Sequence, residues 1–149
     1  MREVNAVTQY GDHQKQPKIG DVYLLQFQGS GSVQSGWRLG VVFQNNTGNA
    51  HSPNLVVLPL TTSLKKLGMP THVLVPASET GLVRDSVVLC ENPVCVSKDS
   101  LGRYLTHLPD ENMGQIARAH LLATSAISFL DLKSIVEIWH QASQLNAAS

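Results

Sequence analysis

Cysteine is scarce in this 149-residue chain, which contains only Cys90 and Cys95. Two cysteines are too few for the disulfide framework of a small secreted domain, and free thiols fit a reducing cytoplasm. No histidine lies beside them at the spacing of a zinc site. The six histidines are instead scattered along the chain, at positions 13, 51, 72, 107, 120 and 140. We therefore expect a cytoplasmic protein that has neither a metal site nor a cofactor.

A net charge and long apolar runs are also absent. Basic and acidic residues number 11 each, so the overall field attracts neither nucleic acid nor a membrane surface. No apolar stretch approaches the roughly 20 residues that a membrane-spanning helix needs. The charge is nevertheless uneven, because residues 1–75 carry six basic and three acidic side chains while residues 76–149 carry five and eight. A polyanion would therefore favour the first half.

The pattern of apolar residues predicts one α+β domain that is mainly β. Between residues 19 and 96, short runs rich in Val and Leu are bounded by Gly, Pro, Asn, Asp or Ser, as strands are. These runs are GDVYLLQF, RLGVVFQ, NLVVLPL, THVLV and DSVVLC. The runs leave no room for crossover helices, so we expect an antiparallel sheet.

The C-terminal third has a helical period instead. Asp110 is a candidate N-cap for an amphipathic helix that packs on the sheet. A second helix is predicted from about Leu132 to Ala142, followed by a fraying QLNAAS tail. In domain terms, we expect a flexible N-terminal arm at residues 1–18, a barrel domain at 19–125, and a C-terminal helical extension at 126–149 packed on the same domain.

Local signatures of common catalytic sites are missing. The chain has no G-x-S-x-G elbow and no G-x-x-x-x-G-K loop, and its glycine-rich segment 29–36 leads into a strand. His51 and His72 could in principle form the acid–base pair of a ribonuclease, although structural roles are favoured for both.

The ends of two strands offer another candidate site. Arg38 begins the second strand and Thr61 ends the third. If these strands pair across the NNTGN turn, both side chains lie at one end of the sheet, beside the glycine-rich segment. On this evidence alone, the favoured interpretation is that Arg38 is a solvated edge residue and Thr61 an ordinary turn former.

Five segments in order resemble the MazF/PemK family of bacterial toxin–antitoxin ribonucleases. They span about residues 19–122 and read IGDVYLLQF, GSVQSGWR, PLTTSLKKLGMPTHV, GLVRDSVVLCEN and LGRYLTHLPDENMGQI. Each segment is short and weak alone, but five in register are specific. The resemblance implies an SH3-like small barrel of antiparallel strands with a packed helix, acting as a homodimer.

The same resemblance implies an activity and a partner. Members of the family cleave single-stranded RNA at a short sequence without a metal ion, leaving a 2′,3′-cyclic phosphate and a 5′-hydroxyl group. A cognate antitoxin, whose acidic and partly disordered tail lies over the RNA groove, is the expected protein partner. Such a tail should dock on the more basic first half of the chain.

Residue by residue, the resemblance implies that Arg38 and Thr61 are catalytic. It implies RNA contacts at Ser32, Gln34, Trp37, Ser63, Lys65, Lys66, Pro70, Glu91 and Asn92. Four positions depart from the family pattern: Val33 replaces a glutamate, Leu39 a proline, Asn92 a glutamine and Val94 a basic residue. These departures bear on base preference and catalytic strength.

Two further function classes stay open on the sequence. A non-catalytic relative could be a protein-binding module, of the antitoxin-binding or gyrase-poisoning type known on this fold. A structural or regulatory domain could instead use the C-terminal helix to hold a partner. The presence of Arg38 and Thr61 favours the enzyme, because a gyrase binder needs neither.

Overall fold

The computed structural model describes residues 16–29, 36–65 and 67–147, so most of the expected N-terminal arm lies outside the described residues. Within these ranges the strands are β1 (Asp21–Phe27), β2 (Gly36–Val42), β3 (Asn54–Thr61), β4 (His72–Val75), β5 (Ser86–Leu89), β6 (Val94–Ser97) and β7 (Leu101–His107). The helices are α1 (Asn46–His51), α2 (Ala77–Thr80), α3 (Asp110–Thr124) and α4 (Leu132–Ala147), with 3₁₀ turns at Lys98–Ser100 and Ala126–Phe129.

The strands form an antiparallel sheet in the order β4-β5-β3-β2-β1-β7, with β6 also paired to β3. Strand β3 is central, since its first half pairs with β6 and its end pairs with β5. Among the described residues no ladder joins the edge strands β4 and β7, so hydrogen bonds do not close the sheet. The predicted α+β, mainly antiparallel SH3-like class is confirmed.

Both faces of the curved sheet are covered by apolar side chains. Because successive residues of a strand point to opposite faces, β1 sends Val22 into one apolar cluster and Tyr23, Leu25 and Phe27 into another. The first cluster also takes Leu58, Val88 and Leu108, and the second takes Val42, Leu55 and Val57. Because both faces of the sheet are buried, the sequences of its strands are near-continuous apolar runs.

Helix α3 packs on the first of these clusters. Its buried residues include Ile116 and Ala119, which lie on one face of the helix. The expectation that Asp110 caps this helix is wrong by one residue, because the N-cap is Pro109 and Asp110 is already helical. An acidic residue in the first turn still stabilises the helix by interacting with its positive N-terminal dipole.

Three local features differ from the sequence expectation. The NNTGN segment forms α1, not a turn, because Asn45 caps it and the Asn46 side chain accepts a hydrogen bond from the Ile19 N–H. Strands β6 and β7 were not predicted. Polar and glycine residues interrupt β7, and its pairing with β1 comes from contacts distant in sequence.

Helix α4 continues to Ala147, beyond its expected end and through residues expected to fray. Its start is capped by Asp131, whose Oδ1 accepts the Ser134 N–H at 2.8 Å. Near its end, the Thr47 hydroxyl donates to the Leu145 carbonyl at 2.8 Å, so α1 holds the final turns. In the part of the chain that the structure describes, no helix has the length and apolar character of a membrane span.

Two glycine substitutions, one in the sheet and one on helix α3, should change the free energy of unfolding in opposite directions. A Cβ at Gly102 would lie 2.6 Å from the Leu24 carbonyl oxygen and 2.9 Å from the Trp37 ring, so Gly102→Ala should destabilise the fold by about 1–3 kcal/mol. At Gly114, on the exposed side of α3, nothing lies within 4 Å. Gly114→Ala should therefore stabilise the fold by about 0.5–1 kcal/mol. Urea unfolding of both variants measures this, and equal effects would contradict it.

Candidate active site

A cavity of about 220 Å³ opens where β2 begins and β3 ends. Its walls are Leu24, Trp37, Arg38, Leu39, Leu60, Thr61, Thr62 and Ser86. The structure therefore brings together Arg38, Thr61 and Trp37, three of the residues that the sequence singled out.

The register of the sheet places Arg38 and Thr61 on opposite walls. Arg38 pairs with Leu25 of β1, while the β2–β3 ladder ends at the pair Gly40 and Pro59. Two residues further on, Thr61 pairs with Val87 of β5. The β2–β3 ladder therefore ends before Arg38 and Thr61 are reached, and the cavity lies beyond its last pair.

The hydroxyl group of Thr61 is oriented by the backbone that follows it. Its Oγ1 accepts a hydrogen bond from the Ser63 N–H at 3.1 Å, as in a local Thr turn. Because the oxygen is the acceptor in this bond, its own O–H is available as a donor to a group in the cavity. The half-buried Thr61 can therefore donate one directed hydrogen bond.

Arg38 is exposed, and its backbone is fixed by the pairing of β2 with β1. A guanidinium group stays charged in proteins and presents planar donors to an anion. The neighbouring Trp37 has 59% of its surface exposed, with its ring beside Gly102 of β7. A cation, a hydroxyl donor and an exposed aromatic ring thus share one cavity, a combination suited to a nucleotide phosphate and its base.

The other sequence candidates lie in two groups. Ser63, Lys65 and Pro70 are exposed on the connection between β3 and β4, which begins at the cavity. Ser32, Gln34 and Lys66 lie outside the described residues. Among the residues that sequence reasoning missed, Ser86 is 1% exposed and precedes Val87, the strand partner of Thr61. No local sequence pattern marked it, because the β3–β5 pairing that brings it to the cavity joins segments distant in sequence.

Glu91 and Asn92 are not brought to the cavity. They follow the end of β5 that points away from Thr61, because Thr61 pairs with Val87 near the start of that strand. Asn92 is exposed, whereas the Oε1 atom of Glu91 lies 2.7 Å from Nε2 of the buried His72. His72 thus has the structural role expected of it.

The His72 contact controls the charge on Glu91. Burial raises the pKa of Glu91, but hydrogen bonds from His72 and from the backbone outweigh it and bring the pKa below its ordinary value of 4.5. Glu91 is therefore an ionised partner of His72 at neutral pH. Elsewhere in residues 16–29, 36–65 and 67–147, no group of three His, Cys, Asp or Glu side chains is placed to hold a metal ion.

Comparison with known proteins gives consistent matches. Residues 18–122 match the family described as "PemK-like, MazF-like toxin of type II toxin-antitoxin system". The chain is 38% identical over 113 residues to endoribonuclease EndoA of Bacillus subtilis, which covers 75% of this chain and 97% of that protein. It is 40% identical over 101 residues to endoribonuclease MazF of Staphylococcus saprophyticus, covering 67% of this chain and 84% of that one.

Solved structures show the same fold. A mycobacterial endoribonuclease in complex with its cognate antitoxin has a TM-score of 0.62 and 28% identity, covering 74% of this chain and 96% of that one. MazF of Deinococcus radiodurans has a TM-score of 0.64 at 21% identity, covering 73% and 96%. The sequence match ends at residue 122, so α4 lies beyond it.

The His72–Glu91 pair predicts a pH-dependent contribution to stability. The folded-state pKa of Glu91 is lowered, so its stabilising effect is present above about pH 4.5 and is lost as the pH falls through the folded-state value. Glu91→Gln should therefore lower the Tm at pH 7, and the difference from wild type should close at strongly acidic pH. Thermal unfolding across this range measures it, with the exposed Glu137→Gln as control. A pH-independent difference would contradict the assignment.

Proposed function

Because the chain belongs to the PemK-like, MazF-like family of type II toxins, we propose that it cleaves single-stranded RNA without a metal ion. The reaction is attack of a ribose 2′-hydroxyl group on the adjacent phosphorus, which expels the 5′-oxygen of the next nucleotide. The products are a 2′,3′-cyclic phosphate and a 5′-hydroxyl end. The observation that carries this proposal is that Arg38 and Thr61 line the same cavity.

The two side chains match the charge that develops in this reaction. As the 2′-oxygen attacks, negative charge accumulates on the non-bridging phosphate oxygens. The Arg38 guanidinium offers planar, charged donors to those oxygens, and the Thr61 hydroxyl adds a neutral donor from the opposite wall. One such donor in a preorganised site contributes about 3–4 kcal/mol, or a factor of 10²–10³ in rate.

We assign Arg38 to charge stabilisation and not to proton transfer. A guanidinium is always protonated and is therefore a poor base at neutral pH. In the described part of the chain no histidine or carboxylate lines the cavity. The proton of the 2′-hydroxyl group passes to solvent, and the departing 5′-oxygen takes a proton from solvent.

The surroundings of the cavity supply contacts to the rest of the RNA. The exposed Trp37 ring can stack on a base, an interaction worth about 1–3 kcal/mol. Ser63, Lys65 and Pro70 extend the RNA-binding surface along the loop after β3, and the family resemblance implies RNA contacts at Ser32, Gln34 and Lys66 as well. Glu91 and Asn92 would meet only a longer strand, because they lie beyond the far end of β5.

We further propose that the protein is the toxin of a cytoplasmic toxin–antitoxin pair and acts as a homodimer. The solved complex of a mycobacterial relative with its cognate antitoxin supports a protein inhibitor. Among the described residues the strands β4, β6 and β7 each pair with one neighbour only, and these edges favour self-association because unpaired strand edges are normally covered. An acidic antitoxin tail would be attracted to the arginine that walls the cavity.

The direct test is incubation of the purified protein with a long single-stranded RNA in EDTA. We expect cleavage at a short recurrent sequence, with cyclic phosphate and 5′-hydroxyl ends in the mapped fragments. Activity that is abolished by EDTA and restored by Mg²⁺ or Zn²⁺ would overturn the metal-independent chemistry. Binding of RNA with no cleavage at any site would favour a non-catalytic relative.

Two substitutions separate transition-state stabilisation from simple attraction of RNA. Arg38→Lys keeps the charge but loses the planar donor geometry, and Thr61→Val removes the hydroxyl at nearly constant volume. Each should lower kcat by about 10²-fold or more while RNA binding weakens only slightly. Arg118→Lys and Thr124→Val, on the exposed side of α3, are matched controls that should cleave normally. An Arg38→Lys protein with wild-type kcat would end the catalytic assignment.

A further inference from the structure

A second cavity of about 310 Å³ adjoins the first. The two cavities share the lining residues Leu39, Thr62 and Ser86, so they are directly adjacent. The second cavity lies between β7 and the segment that leads into β5. A chain passing through the first cavity can therefore continue directly into the second.

Positive charge is concentrated along these two cavities. Arg84 and Arg103 line the second, and Arg38 lines the first. No carboxylate lines either cavity within the described ranges, although the chain as a whole has equal numbers of basic and acidic residues. Asp85 is the carboxylate next to Arg84 in sequence, and its Oδ1 accepts a hydrogen bond from the Ala77 N–H at 2.8 Å. The site therefore favours an anion.

The rest of the second cavity is apolar. Leu39, Leu82 and Leu105 line it, and Val83, with 92% of its surface exposed, stands at its edge. A volume near 300 Å³ with apolar walls and a few charged groups is at the lower end of the range for small-molecule sites. Two guanidinium groups beside an apolar wall fit a nucleotide, which carries a phosphate at one end and a flat base at the other.

We propose that this second cavity binds the flanking nucleotide, the one next to the reacting dinucleotide in the RNA strand. Its phosphate pairs with Arg84 and Arg103, and its base packs against Val83 and Leu105. This assignment rests on the proposed ribonuclease function, because the flanking nucleotide is part of the same RNA strand. Binding energy at this site is available only to substrates that extend beyond the reacting dinucleotide.

The test compares two substrates once the cleavage sequence has been mapped. One is a minimal oligonucleotide around the cleaved bond, and the other carries four more nucleotides on each side. Arg84→Gln and Arg103→Gln should each lower kcat/KM about 10-fold on the extended RNA and leave the minimal substrate within 2-fold of wild type. The slope of log K against log salt for the extended RNA should fall by about 0.7 for each lost phosphate contact.

A control variant and a measurement of the oligomeric state make the outcome decisive. Arg118→Gln, on α3 and outside both cavities, should leave both substrates unaffected. Equal losses on both substrates, or no loss on either, would overturn the proposal. Dissociation of an oligomer in the variants, seen by light scattering, would also overturn it and assign the cavity to a subunit interface.

Failure of the ribonuclease function can be told apart from failure of this site. Fluorescence anisotropy of a labelled extended RNA, with a 2′-deoxy sugar at the cleaved position, reports binding without chemistry. If the wild-type protein cuts no RNA and the Arg84→Gln variant binds RNA more weakly than wild type, the result would refute cleavage and support the second cavity. If the wild-type protein cuts RNA and both variants bind RNA as tightly as wild type, the result would refute the second cavity alone.

Discussion

The early end of the β2–β3 ladder is the constraint on which the candidate site depends. Pro59 marks the last pair of the β2–β3 ladder, and a proline has no N–H to continue the donor pattern. Beyond it, Leu60 and Thr61 pair with β5. If β2 and β3 stayed paired to their ends, the backbones would close the gap between Arg38 and Thr61. The cavity therefore lies beyond the last β2–β3 pair, while β5, the neighbour of β3 on its other side, pairs with Thr61.

The apolar strands and the Arg38–Thr61 neighbourhood could be predicted from the sequence, since both follow from local patterns and antiparallel pairing. Val- and Leu-rich runs mark strands wherever both faces are buried. The helix α1 and the strand β7 could not be predicted in this way. Hydrogen bonds to distant residues fix α1, and β7 is half-polar and takes its conformation from its pairing with β1. Resemblance added Glu91 and Asn92, whose distance from the cavity follows from the direction of β5.

Charge shows the same limit of sequence reasoning. The balance of each half of the chain points to the first half as the polyanion-binding part. Yet of the three arginines along the two cavities, only Arg38 comes from that half, while Arg84 and Arg103 come from the acidic half. Folding places them together because β7 and the start of β5 meet at the end of the sheet where β2 begins. A local field of this kind depends on topology, and a count along the chain does not detect it.

The C-terminal extension is attached at the opposite end of the sheet. Helix α1 connects the end of β2 to the start of β3, and both of those points lie away from Arg38 and Thr61. Near the end of α3, the His120 ring packs edge-on against Phe43, just after β2, and the last turns of α4 are bonded to α1. The extension is therefore held where it leaves both cavities open. The arginines and the hydroxyl group lie at one end of the sheet, and the apolar residues exposed on α4 can serve a different contact without obstructing them.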